Sequence, residues 1–276
     1  MNSILPLSAQ HQTATRQSIM RAGFGQQSGF SLIELMVAVL IGLFLTLGLS
    51  QIFLSMYSTS QSQGNLNQNQ ENQRLGIVML TNTAQLAGFY AGTPTTVNDN
   101  ATNLPTVTNA DGSIFVAGAG IVGTGDGTGT GAASDTLNIY YQSGGSNLDG
   151  IINCQGGTAA ASTKTTFINS FSINASSQMV CTVTTGGVTS KPLVLANNLA
   201  SMSILYGVDS VGSNPSSVDT YLTAKAVQSA NKWMSVRTVQ ITLNFYTPNP
   251  LNPNQAFNST SPTTPWVQTI NLMAKS

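Results

Sequence analysis

Histidine is nearly missing from this chain: of 276 residues only His11 is one, and it lies in a polar stretch ahead of the main apolar run. Beyond that position Ser-His-Asp and Cys-His catalysis, His-ligated metals and imidazole pH switches have no residue to carry them. Charge is scarce too. Asp, Glu, Lys and Arg make up 7% of the sequence, against about 25% in ordinary soluble domains, so the surface must be built from Ser, Thr, Asn, Gln and Gly. No long basic run occurs, and no strong nucleic-acid binding is expected. Lys225, Lys232 and Arg237 are either a local basic patch gathered by the fold or, the plainer reading, scattered solvated charges. There are 2 cysteines, Cys154 and Cys181; without a histidine or a second pair they cannot complete a tetrahedral zinc site. No acid-base pair stands out at catalytic spacing, so the chain does not read as an enzyme, and no metal or cofactor is expected.

Two loops invite a ligand and then lack what the ligand needs. Gly118 to Gly131 contains Gly123-Thr124-Gly125-Asp126-Gly127-Thr128-Gly129, but not the Gly-Lys-Ser/Thr ending or the apolar helix of a phosphate cradle, so it reads as a flexible loop. Asp209 and Asp219 bracket a Ser/Asn/Pro-rich stretch. It lacks the alternating acids of an EF-hand and reads as a surface turn, with calcium binding as the alternative.

What the chain has is an apolar segment from Phe30 to Leu54 with a single carboxylate, Glu34, near its start. The segment is long enough to span a bilayer. A charged side chain at the centre of a membrane helix costs about 2.5 to 3.5 kcal/mol, so Glu34 needs a partner or a use. Residues 1–29 carry Arg16 and Arg21 and no acid, which keeps them in the cytoplasm and sends the rest across the membrane. A signal anchor with an isolated Glu is the alternative reading. A cleaved secretory signal fits less well: its apolar region would be about 7 to 15 residues long, and Ser50-Gln51-Ile52-Phe53-Leu54 offers no small-residue cleavage site. In an oxidising periplasm Cys154 and Cys181 are expected to pair, a closure worth about 3 kcal/mol in the chain-entropy model.

The run Gly29-Phe30-Ser31-Leu32-Ile33-Glu34-Leu35 resembles the type III signal of type IV pilins and type II secretion pseudopilins. That resemblance implies cleavage by a prepilin peptidase between Gly29 and Phe30, with Phe30 becoming the N-methylated first residue. It also implies that Glu34 pairs with the N-terminal amine of a neighbouring subunit during assembly. Met20 offers an alternative start. Without Arg16 and Arg21 the 9 basic residues fall to 7 against 9 acidic ones, a net charge of −2.

From Phe30 to about Ala87 no proline interrupts the chain, and one helix roughly 85 Å long is predicted. Its first half is apolar on every side; Gly42 and Gly48 are either soft points or the glycines that membrane helices tolerate. Ser58 to Arg74, with Gly64 inside, reads as a wet stalk, a disordered linker being the alternative. Leu75, Val78, Met79, Asn82 and Leu86 recur at helical spacing and are expected to dock on the C-terminal domain, with Gly88 as the stop. Predicted strands are Ile114 to Val116, Thr136 to Tyr141, Ser170 to Asn174, Met179 to Thr184, Leu193 to Ala196, Met202 to Gly207, Val236 to Thr247 and Val267 to Met273. The strict alternation from Val236 to Phe245 marks a half-buried strand, expected at the centre of an antiparallel sheet packed against the helix.

A second resemblance lies in Leu195-Ala196-Asn197-Asn198-Leu199-Ala200-Ser201-Met202-Ser203-Ile204-Leu205-Tyr206-Gly207-Val208-Asp209. With Tyr221-Leu222-Thr223-Ala224, Ser134-Asp135-Thr136-Leu137-Asn138-Ile139-Tyr140-Tyr141 and the pair Cys154 and Cys181, it is similar to the PilW family of minor pilins. Ile270-Asn271-Leu272-Met273-Ala274 departs from that family by lacking its basic Arg-Asn-Arg step. The resemblance implies an α+β type IV pilin fold, a long N-terminal helix packed on a C-terminal antiparallel β-sheet domain. The expected parts are a cleaved leader (1–29), a transmembrane and filament-core helix (30–54), its amphipathic continuation (55–88) and a β-rich head (89–276). The implied function is a minor pilin, low in copy number, that initiates or assembles a type IV pilus at its tip and supports motility, adhesion or DNA uptake. Its implied partners are other minor pilins, the major pilin, the prepilin peptidase and the inner-membrane assembly platform. The protein would be single-pass in the inner membrane with a periplasmic head, and then part of the pilus. The alternatives are a minor pseudopilin of type II secretion and a tip adhesin using Trp233, Tyr221 and Trp266, rings for which core packing is the plainer role.

Overall fold

A computed structural model describes residues 29–92, 99–145, 149–209, 217–247 and 261–272. The chain divides into two units, Met1–Met56 and Tyr57–Ser276. Helix α1, Leu32–Gln85, runs through the boundary, so the polar stretch from Ser58 to Arg74 is helical and is not a disordered linker.

In the first unit the apolar sequence is nearly continuous, and two of its hydroxyls are satisfied within the helix. The Thr46 hydroxyl donates to the carbonyls of Gly42 and Leu43, each at 2.9 Å, and the Ser50 hydroxyl to that of Thr46 at 2.7 Å. Such back-bonding leaves no hydroxyl to be solvated, which suits a helix destined for an apolar environment. The stretch Leu32–Gln61 is long and apolar enough to cross a membrane.

The second unit adds, in chain order, α2 (Asp99–Asn103), β1 (Val107–Thr108), β2 (Ile114–Phe115), β3 (Ile121–Thr124), β4 (Thr136–Ser143), β5 (Thr165–Ile173) and β6 (Met179–Thr185). It continues with β7 (Val188–Thr189), β8 (Leu193–Ala196), β9 (Leu199–Val208), β10 (Thr220–Thr223), α3 (Ala224–Ser229), β11 (Val236–Tyr246) and β12 (Thr263–Asn271). Two antiparallel sheets form the body, one ordered β3-β4-β5-β6-β7 with β8 also on β6, the other β10-β9-β11-β12, and β1 and β2 make a small hairpin. The α+β class read from the sequence is the one observed. β11 lies between β9 and β12 and alternates buried Val239, Ile241, Leu243 and Phe245 with half-exposed polar residues, as its pattern predicts. Four of the predicted strands extend further than expected by two residues or more: β4 to Ser143, β5 back to Thr165, β9 from Leu199 to Val208, and β12 back to Thr263. Sheet pairing extends a strand past the apolar core wherever a neighbour supplies hydrogen bonds. β3 overturns part of the flexible-loop reading, because Ile121–Thr124 pairs with Thr136 to Ile139. Within that loop Ile121 and Val122 are buried, and two adjacent core side chains suffice to hold a short edge strand.

The predicted docking stripe is right in part: Met79 and Leu86 are half-buried and pack against the core, but Leu75 and Val78 are 59% and 44% exposed, and Asn82 is exposed as well. The buried face is Gly76, Leu80, Thr83, Ala84 and Ala87, which also recurs every three or four residues. Small residues win because they let the helix axis come close. A Cβ on Gly76 would lie 2.9 Å from both Ala196 Cβ and Met179 Cε and 3.0 Å from the Leu195 carbonyl. At Gly76 the helix therefore meets β6 and β8 of the first sheet, not β11. At its end, Gly88 takes φ +78 and terminates the helix as predicted. Its N–H donates to the Tyr140 carbonyl at 3.0 Å, and Gln142 N–H donates to the Phe89 carbonyl at 2.8 Å. Gly88 and Phe89 thus continue the β3 side of β4 as a short extra strand, which ties the stalk to the sheet.

Asp135 links the two sheets. Its N–H donates to the Met202 carbonyl at 3.0 Å, while its carboxylate accepts from Ile204 N–H at 2.8 Å and Gly127 N–H at 3.1 Å. β10 pairs β9 only over Leu205 to Val208, so Asp135 supplies the hydrogen bonds that the uncovered part of that edge would lack. Burial pushes this carboxyl above its ordinary value despite the two N–H donors.

Candidate functional site

Gly29, Phe30 and Glu34 sit together at the open end of the described chain. Among the described residues no atom comes within 4 Å of the Cβ position of Gly29, Phe30 is 83% exposed, and neither residue is in the helix. Residues 1–28 of the expected leader lie outside the described residues. Glu34 falls in the first turn of α1, where the unsatisfied N–H groups favour a carboxylate by about 0.3 to 1 kcal/mol.

Every described side chain from Phe30 to Gln61 is exposed, among them Leu32, Leu40, Phe44, Leu49 and Phe53. At roughly 25 cal/mol per Å² such a surface is not stable in water. Lipid or other chains must cover it. The geometry is a non-helical Gly29-Phe30 step, one acid in the first helical turn, and an apolar cylinder with no buried side chain among its described residues.

The head contains no comparable constellation among the candidates read from sequence. Cys154 and Cys181 form the expected disulfide, their Cα atoms 6.4 Å apart and 27 residues distant in sequence. Cys154 N–H donates to Asn169 Oδ1 at 2.9 Å, and Gln155 Nε2 donates to the carbonyls of Cys181 and Lys191 at 2.9 and 2.8 Å. The bridge therefore fastens the long β4 to β5 connection across β5 and β6.

The three rings of the adhesin reading are not gathered. Trp233 is buried, edge-on to Tyr206 at 5.0 Å, with its indole N–H donating to Gln228 Oε1 at 2.6 Å. Trp266 pairs with buried Leu243 and packs on the core, whereas Tyr221 pairs with Gly207 on the other face and is 41% exposed. Core packing, the plainer role, is what Trp233 and Trp266 have. The basic residues are dispersed likewise: Lys225 is exposed on α3, and Arg237 sits at a bulge of β11 with its Nε buried. Asp209 is buried and Asp219 is exposed; the residues that would complete a cation loop between them, 210–216, lie outside the described residues.

Sequence reasoning missed the Asn138 cluster. Asp111 accepts from the Ser113 hydroxyl at 2.6 Å, from Ser113 N–H at 2.9 Å and from Asn138 Nδ2 at 2.7 Å, and Asn109 Nδ2 donates to Asp111, Asn138 and Ser170. Burial alone would raise the Asp111 carboxyl, but these donors together outweigh it and hold it below its ordinary value. Its role is to pin the β1–β2 hairpin onto β4 and β5. The only signal in the sequence was an Asn at a core position of a strand.

An exposed apolar helix opening on a Gly-Phe step, joined to a two-sheet head closed by a disulfide, defines a type IV pilin-like protein. Residues 25–50 match the prokaryotic N-terminal methylation motif. Residues 165–271, from the start of β5 to the end of β12, match the family model described as type IV pilus-assembly protein W. Over these two stretches the chain is similar to the type IV minor pilins, and its head to the PilW family. No curated protein and no solved structure matches the chain.

Proposed function

We propose that this minor pilin initiates or assembles the tip of a type IV pilus after a prepilin peptidase has cut between Gly29 and Phe30. Phe30 then carries the N-methylated amine, and Glu34 pairs with the amine of a neighbouring subunit as the helix leaves lipid for the filament. The leader is residues 1–29, the anchoring helix 30–54, its continuation 55–88, and the head 89–276 stands in the periplasm and later on the pilus. Other minor pilins, the major pilin and the assembly platform are its partners, and it performs no catalysis of its own. The observation that carries this reading is the coincidence of a methylation motif on an uncovered helix with a PilW-type head. The PilW match favours a pilus over a secretion pseudopilus, and the burial of Trp233 counts against an aromatic sugar platform.

The test is an in-frame deletion, with sheared surface pili and the secreted-protein profile measured in one culture. Lost pili with normal secretion is the expected result. Intact pili with lost secretion would move the protein to the pseudopilins.

A further inference from the structure

We infer that the outer edge of β12 receives an extended β-strand from another pilus subunit, an inference that rests on the assembly role proposed above. Sheet edges are normally protected, and nearly all of those described here are. β7 has two residues, β8 and β10 have four each, the free part of β9 is capped by Asp135, and β4 is continued by Gly88 and Phe89 beside β3. β12 is the last strand of its sheet, nine residues long, and no described backbone group pairs with its far side.

The register fixes which groups are free. Leu272 N–H donates to the Arg237 carbonyl at 3.0 Å, and Thr247 N–H to that of Pro262 at 2.8 Å. By the antiparallel alternation, Thr264, Trp266, Gln268 and Ile270 turn their backbone groups toward β11, while Thr263, Pro265, Val267, Thr269 and Asn271 turn theirs away. Pro265 therefore falls where no bond to β11 is lost. From Val267 to Asn271 three residues present both N–H and C=O outward, and all three are exposed. β12 carries no charged residue, and neither do Thr238, Gln240, Thr242 and Asn244 beside it. The charges and bulges that ordinarily repel an incoming strand are missing from this half of the edge.

A row of alternating donors and acceptors repeating about every 6.8 Å is matched by extended peptide backbone, not by lipid or sugar. The neutral rim suits an uncharged strand rich in β-branched residues. On the role proposed above, which the PilW-type match of the head supports, other pilus components are the chains this head meets.

The experiment places Thr269→Pro, Thr269→Lys and Thr269→Ala in the full chain in cells, and compares sheared pili, membrane level and head melting temperature. Thr269→Pro removes an outward N–H and Thr269→Lys adds a charge there, while both leave the β11 ladder intact. Each is expected to lower pili at least tenfold at normal membrane level and near-normal melting temperature, with Thr269→Ala close to wild type. If Thr269→Pro unfolds the head, Thr269→Lys carries the test. Wild-type pili in the folded variants would overturn the inference. In that case loss of pili in Glu34→Ala leaves the assembly role standing, whereas wild-type pili in Glu34→Ala as well would remove both. A Thr269→Cys homodimer in the membrane would assign the edge to a second copy and overturn the partner named here.

Discussion

Between Leu32 and Gln61 large apolar side chains point outward all around a helix, whereas from Leu80 onward most of the described large apolar side chains are drawn into the core of the head. The two regions solve the hydrophobic problem differently. The helix hands its surface to lipid or to other chains, and the role proposed for its single acid, Glu34, lies in assembly. The head encloses its own surface, so its acids, Asp111, Asp135 and Asp149, are held by internal hydrogen bonds. Changes in the helix should therefore alter assembly and not head stability, and changes in the head interior should do the reverse.

Six substitutions and one titration sharpen that contrast. The largest effect is expected from Glu34→Ala: membrane insertion as in wild type, a head melting temperature unchanged, and pili reduced by more than tenfold in shearing assays. A lower melting temperature would break the division of labour. Next, Leu80→Ala should cost about 2 to 5 kcal/mol in denaturant unfolding, as for any fully buried leucine, while Leu75→Ala on the exposed side of the same helix should stay within about 0.5 kcal/mol. Equal effects at the two sites would mean that the docking face has been assigned wrongly.

Cys154→Ser should cost about 2 to 4 kcal/mol, because it frees the β4 to β5 connection in the unfolded chain; a thiol titration of the unfolded parent confirms the bridge. Asp135→Asn should cost about 1 to 3 kcal/mol. One carboxamide oxygen can accept from Ile204 or from Gly127, and the NH₂ group is left facing the other N–H.

The smallest effect is the pH profile of head stability. Asp111 and Asp149 sit below the ordinary value of 3.8 in the fold. For each, burial acts upward and is outweighed by donors: for Asp149 these are Gly144 N–H, Ile151 N–H and the Ser143 hydroxyl. Their contribution is full above 3.8 and fades as pH falls through their lowered folded values. Asp135 has the opposite sign. Its folded value is raised by burial, so the native state binds the proton more tightly, and stability falls as pH climbs from 3.8 through that raised value. Melting temperature should thus pass through a maximum on the acid side; Asp111→Asn should flatten the lower limb and Asp135→Asn the upper one.

Several parts of this molecule were legible in the order of residues. The membrane-length helix follows from composition alone, since every side of it is apolar and no tertiary partner is needed to define its face. β11 follows from period-two alternation, and the disulfide from the export of just two cysteines. The docking face was legible only in part. Of the stripe Leu75, Val78, Met79, Asn82 and Leu86, Met79 and Leu86 pack on the core, but close approach to β6 and β8 centres the buried face on Gly76, Leu80, Ala84 and Ala87, because glycine and alanine admit it. Tyr221 and Trp266 likewise read as equivalent aromatics until the pairing register placed them on opposite faces of one sheet.

The sequence by itself determined the membrane-length helix, the methylation motif, the class of the head and the chemistry its missing histidines exclude, because each depends on composition or on spacing within one element. The tertiary structure alone decided which helix face is buried, that Asp135 joins the sheets, and that β12 is left with an open edge. Those depend on distances between segments far apart in the chain, set by the volume of the side chains that meet there and by which backbone groups find a partner.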